Sequence, residues 1–162
     1  MFQADQYNGT RHEQYETVLS QLGGLIHGEP NLIANLANAS ALLGQFLKDV
    51  NWVGFYLFDG TELVLGPFQG LPACIRIPLG RGVCGTSAQE RRTLVVEDVH
   101  AFPGHIACDA ASNSEIVIPV IKNDQLIGVL DIDSPLKGRF DELDKEYLEK
   151  FVQVLTKELA AI

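Results

Sequence analysis

The chain has 162 residues, 46% hydrophobic and 20% charged, a composition that excludes a largely disordered polymer and suffices for one packed core without disulfide staples. Its 12 basic and 21 acidic side chains leave a net charge of −9, so no nucleic acid partner is expected, because Lys and Arg supply most of the affinity for a phosphate backbone. No apolar stretch reaches the roughly 18 residues that a membrane span needs, and MFQADQYNGT at the N-terminus lacks the basic and apolar regions of a secretory signal. The expectation is a soluble, cytoplasmic protein with no membrane partner and a single domain over residues 1–162.

Apolar residues at helical spacing (Tyr15, Val18, Leu19, Leu22) predict a first helix over about residues 10–27, weakened near its end by Gly23-Gly24. A second helix follows Pro30, which suits a first-turn position, with Leu32, Ile33, Leu36, Leu43 and Leu47 recurring near 3.6 residues. The N-terminal helices thus occupy about 10–48. The pattern then changes to strands. NWVGFYLFD and TELVLGPF flank Asp59-Gly60, a hairpin signal. ACIRIPL reads as a third strand carrying Cys74, GRGVCGTSAQERR as a glycine-rich turn opening a short helix, and TLVVEDV as a fourth strand. Residues 99–114 have no period, and an irregular segment of that length is usually functional. EIVIPVI and QLIGVLDID, joined at Lys122-Asn123-Asp124, are two more strands, so the sheet and its loops fill about 50–135. An amphipathic helix with Leu143, Tyr147, Phe151, Val154 and Leu155 on one stripe closes the chain over about 140–161. Helices, six consecutive strands and a final helix predict an α+β domain, a mainly antiparallel sheet with helices packed on one side.

Chemistry concentrates in three groups. The first is three cysteines, Cys74, Cys84 and Cys108, an odd number that does not read as a structural disulfide set. No cysteine pair has zinc spacing, so no metal is expected. Cys84 lies among glycines and Cys108 in the long irregular segment, where a thiol can be activated by nearby backbone N–H groups. His105, three residues before Cys108, offers a weaker dyad reading. The second group is acidic. Asp131 and Asp133 are two apart in a strand and share a face, Glu115 opens the neighbouring strand, and Glu97 and Asp98 end the fourth. Converging carboxylates crowd each other's charge, so one can hold a proton near neutrality, donate it to an oxygen, or bind an ammonium group. The third is an aromatic wall: Trp52 and Tyr56 are four apart in one strand and face the same side.

RGVCGTSAQERRTLVVEDVHAF, SEIVIPVIKNDQLIGVLDIDSP and the closing helix resemble a GAF domain across about residues 30–160. The stretches NWVGFYL, FQGLPACIRIPLGRGVCGTSA, VEDVHAFPGHIACDAASNSEIVIPV and GVLDIDSP are more specifically similar to the free methionine-(R)-sulfoxide reductases. That resemblance implies a GAF fold and a thiol reductase acting on free methionine sulfoxide. It makes Cys108 the nucleophile, Cys84 the main resolving cysteine and Cys74 an auxiliary one. It gives Trp52 and Tyr56 the methyl sulfoxide end, and makes Glu115, Asp131 and Asp133 the acidic site, with Glu115 and Asp133 catalytic. It places Glu97, or Asp98 beside it, at a further substrate-binding position. It implies no bound cofactor, an external thioredoxin reduced by NADPH through thioredoxin reductase, and a homodimer. The competing reading is a non-catalytic GAF sensor, against which the acidic pocket and the three thiols weigh.

Overall fold

The computed structural model describes residue 2, residues 7–105 and residues 110–159. Helices α1 (Arg11–Ile26) and α2 (Leu32–Phe46) precede strands β1 (Trp52–Phe58), β2 (Glu62–Gly70) and β3 (Arg76–Pro78). Helix α3 (Gly82–Glu90) leads to β4 (Leu94–Val96) and a 3₁₀ turn at Val99–Ala101, and β5 (Ser114–Lys122), β6 (Gln125–Ser134) and α4 (Glu142–Glu158) complete the chain. The six strands lie in the order β3-β2-β1-β6-β5-β4, and every pair is antiparallel.

Local chemistry sets the element ends. Thr10 and Glu13 form a capping box on α1, and Asp141 and Asp144 form another on α4. Asn31, rather than a residue after it, caps α2 by accepting from the Ala34 N–H, so Pro30 stands just outside the helix instead of in its first turn. Gly23-Gly24 do not stop α1, which runs on to Ile26. The β5–β6 turn bends at Asn123 and Asp124, both with positive φ, a pairing whose twist matches that of the strands it joins.

The third strand is shorter than its sequence suggests, and Cys74 lies before it rather than on it. The Cys74 carbonyl accepts from the Tyr56 hydroxyl at 2.9 Å, so a side chain takes the place of a ladder partner there. Ile75, expected to alternate inward with Ile77, is 67% exposed.

Alternation along the strands divides the interior in two. Val53, Phe55, Ile116, Ile118, Leu130 and Ile132 point to the face covered by the three long helices, where Leu22, Leu36, Leu43, Tyr147 and Phe151 complete an apolar core. Trp52, Tyr56, Val117 and Val129 point to the opposite face, with Val83, Cys84 and Ala88 of short α3 packed on them. Among the described residues, no helix is long and apolar enough to cross a membrane.

Candidate active site

The face bearing α3 carries a pocket lined by Trp52, Tyr56, Arg81, Cys84, His105, Ser112, Glu115, Asp131 and Asp133, among others. One wall is aromatic. The Trp52 and Tyr56 rings stack with centroids 5.9 Å apart, and Phe68 of β2 stacks on Trp52 at 5.1 Å. Gly54 permits this, because it lies opposite Phe68 in the register and a Cβ there would fall 2.2 Å from the Phe68 Cβ and 2.9 Å from the indole. The polar tips are satisfied: the Trp52 indole N–H donates to the Leu71 carbonyl at 3.1 Å, and Tyr56 holds Cys74 as described. These two bonds tie the segment carrying Cys74 to the aromatic wall.

Beside it, on the neighbouring strands, the lining is acidic. Period-two alternation puts Asp131 and Asp133 on one face of β6; Glu115 pairs with Asp133, and Trp52 pairs with Asp133 on the other flank. Cys84, expected in a glycine-rich turn, occupies the first turn of α3. Its neighbour Gly85 lets the helix press against β3, since a Cβ at Gly85 would lie 2.4 Å from the Pro78 carbonyl oxygen. Cys84 Sγ thereby comes to 3.9 Å from Glu115 Oε2.

Burial decides the electrostatics. It pushes the Glu115 carboxyl well above the ordinary carboxylate range, and the negative charges of Asp131 and Asp133 push it further. Burial raises Asp131 as well, opposed by its hydrogen bonding to Glu115, Cys84 and Asp133. The Cys84 thiol is raised by burial first, then by the charges of Asp131 and Glu115, so it stays neutral at neutral pH. Burial lowers His105. The pocket therefore combines an aromatic wall, a carboxyl group that retains a proton, and a neutral thiol. It can seat a small, partly apolar molecule and protonate an oxygen on it.

Cys84, Glu115, Asp131, Asp133, Trp52 and Tyr56 are thus brought together, as their sequence positions suggested. Cys74 takes part in a disulfide, whereas Cys84 is free. Cys108 lies outside the described residues; His105 and Ser112, three positions before it and four after, both line the pocket. Glu97 does not join the other acids. It is exposed and lines a separate cleft with Asp98, which is bound to Lys137 at 3.2 Å and caps the 3₁₀ turn. The β4 strand ends at Val96, just before the two acids. Sequence reasoning missed Phe68, whose signal is the glycine opposite it, and Arg81, which borders the pocket at the start of α3.

A family model described as GAF domain matches residues 31–159. The chain belongs to the GAF domain family. Among GAF relatives, it is 54% identical over 148 residues to the Escherichia coli protein named free methionine-R-sulfoxide reductase, covering 91% of this chain and 90% of that protein. The structure of Staphylococcus aureus fRMsr in complex with substrate is 55% identical with a TM-score of 0.87, covering 96% of this GAF chain and all of that one. The Neisseria meningitidis free methionine-R-sulfoxide reductase in complex with its substrate superposes with a TM-score of 0.90 at 45% identity, covering 96% and 94% of the two chains.

Proposed function

We propose that this GAF protein is a free methionine-(R)-sulfoxide reductase. The observation that carries the reading is a pocket lined by a thiol, a proton-holding carboxyl and two stacked aromatic rings, in a chain 55% identical to a protein of that activity class whose structure contains substrate. Trp52 and Tyr56 receive the methyl sulfoxide end. The carboxylates suit the free amino acid, whose ammonium group is absent from peptide-bound methionine.

The chemistry follows from these groups. The Cys108 thiolate attacks the sulfoxide sulfur. Glu115 donates its proton to the sulfoxide oxygen as the S–O bond gives way, and Asp133 assists beside it. With a second proton from the acidic group the oxygen departs as water, leaving Cys108 joined to the methionine sulfur as a sulfonium. Water then attacks the Cys108 sulfur, the S–S bond breaks, one proton returns to the acids, methionine leaves and Cys108 becomes a sulfenic acid. A second cysteine thiol condenses with it, forming a disulfide and releasing water. An external dithiol then exchanges with that disulfide, leaving two protein thiols and its own disulfide. The disulfide at Cys74 and the burial of neutral Cys84 favour Cys74 in the resolving role, which the resemblance had given first to Cys84. No step requires a bound metal or organic cofactor. Thioredoxin as the dithiol, a homodimer and a cytoplasmic setting belong to the same reading and rest on the resemblance.

The test is NADPH oxidation with thioredoxin, thioredoxin reductase and each epimer of free methionine sulfoxide. Turnover of the R epimer, with little of the S epimer or of N-acetylated substrate, is expected. No turnover of either epimer would return the chain to the sensor reading.

A further inference from the structure

Cys84, Glu115 and Asp131 come from three different elements, and one ligand atom from each lies within 4.8 Å of the other two. All three side chains are buried, and all three line the pocket. One oxygen of Asp131, on a residue only 5% exposed, has no hydrogen-bond partner among the described residues. A buried oxygen of that kind marks a place where a ligand has still to be supplied.

We propose that this trio binds a thiophilic divalent cation of the zinc and cadmium class through the Cys84 thiolate and one oxygen each of Glu115 and Asp131. Around a tetrahedral zinc, Zn–S bonds of about 2.3 Å and Zn–O bonds of about 2.0–2.2 Å put sulfur and oxygen roughly 3.5–3.7 Å apart. The 3.9 Å between Cys84 Sγ and Glu115 Oε2 is within a few tenths of an ångström of that spacing. The fourth position opens to the pocket and takes water. On binding, the Cys84 thiol proton and the proton held on Glu115 both leave to solvent, and the cation neutralises the negative charge that this leaves on the three ligands. The sulfur selects against magnesium and calcium, which prefer all-oxygen shells. The ligands are 31 and 16 positions apart in sequence, so no short-spacing motif reveals the site.

The cation also excludes substrate, because it occupies the acidic wall; this consequence rests on the pocket being the substrate site proposed above. The ion is then an inhibitor of the reductase, and not its cofactor.

Titration of the protein, with Cys74 in its disulfide, by Cd²⁺ reads the site through thiolate-to-cadmium charge-transfer absorbance. One equivalent should saturate the band, and Cys84→Ser should abolish it. Glu115→Gln and Asp131→Asn should weaken binding by at least roughly 10–100-fold, the loss typical of removing even an outer partner of a metal site. A band that is absent, or that persists in Cys84→Ser, would overturn the proposal. Should Cys84→Ser fail to fold, unchanged affinity in both carboxylate variants would overturn it instead. Excess free methionine should displace the band; a Cys84-dependent band that methionine leaves untouched would refute the competition. A normal band in a protein inactive in the coupled assay would overturn the substrate reading and leave the metal site standing.

Discussion

Asp144 and Asp131 are both buried acids, and they meet opposite surroundings. Asp144, in the first turn of α4 on the helix-covered side, receives Arg11 at 2.9 Å, Arg139 at 3.2 Å and the Tyr15 hydroxyl at 2.6 Å. It also caps its own helix by accepting from the Asp141 N–H. Asp131, on the pocket side, has Glu115, Asp133 and Cys84 for neighbours and one oxygen without a hydrogen-bond partner among the described residues. Two guanidinium groups turn the first acid into a clamp between α1 and α4. The second, with no guanidinium bound to it among the described residues, shares protons with its neighbours. A buried charge with its counter-charges holds architecture together, whereas a buried charge without them is a place for a ligand and for proton transfer.

The sharpest way to break this contrast is to remove one acid from each side. Glu115→Gln should lower the reductase rate by about 10²–10⁴-fold, the usual worth of general acid catalysis, while the protein stays folded. Asp144→Asn should leave the rate per folded molecule unchanged. Steady-state rates normalised to folded protein decide between them, and equal losses would erase the distinction. Stability should respond in the opposite sense. Asp144→Asn should cost about 3 kcal/mol in urea unfolding, because it leaves Arg139 uncompensated, whereas Asp131→Asn should be neutral or stabilising.

A smaller effect concerns pH. The Glu115 carboxyl titrates higher in the folded chain than in the unfolded one. Its contribution to stability is therefore complete below the ordinary carboxylate range, roughly pH 4, and is lost as pH rises toward the folded value. Glu115→Gln should remove that decline, so the variant gains on the wild type toward neutral pH and matches it in acid. Unfolding curves across that range provide the check. The smallest effect is expected at Arg11, whose side chain is half exposed; Arg11→Met should cost about 0.5–1 kcal/mol by the same measurement, since water screens the pair.

The pocket side was the more legible of the two in sequence. Period-two spacing in VLDIDSP put Asp131 and Asp133 together, and the same rule aligned Trp52 with Tyr56, because strand alternation is a local property. The clamp was invisible. Asp144 sits in the charge-rich run DELDKE, and its cation Arg11 lies 133 positions away, joined to it only by packing of α1 on α4. The alternation of ACIRIPL predicts a strand through Cys74, but the Tyr56 hydroxyl, from another strand, takes the carbonyl that a ladder would use. Glu97 followed the acidic pattern of VEDV, yet the end of β4 directs it to a different cleft. Local spacing fixed which residues share a face, and tertiary partners decided which of those faces became a site.

The most direct measurement is a single turnover. Fully reduced protein is mixed with free methionine (R)-sulfoxide without an external reductant, and methionine is counted per chain. Stoichiometric release by the wild type, and none by Cys108→Ser, is the predicted result. Equal release by Cys108→Ser and wild type, or none by either, would contradict the account.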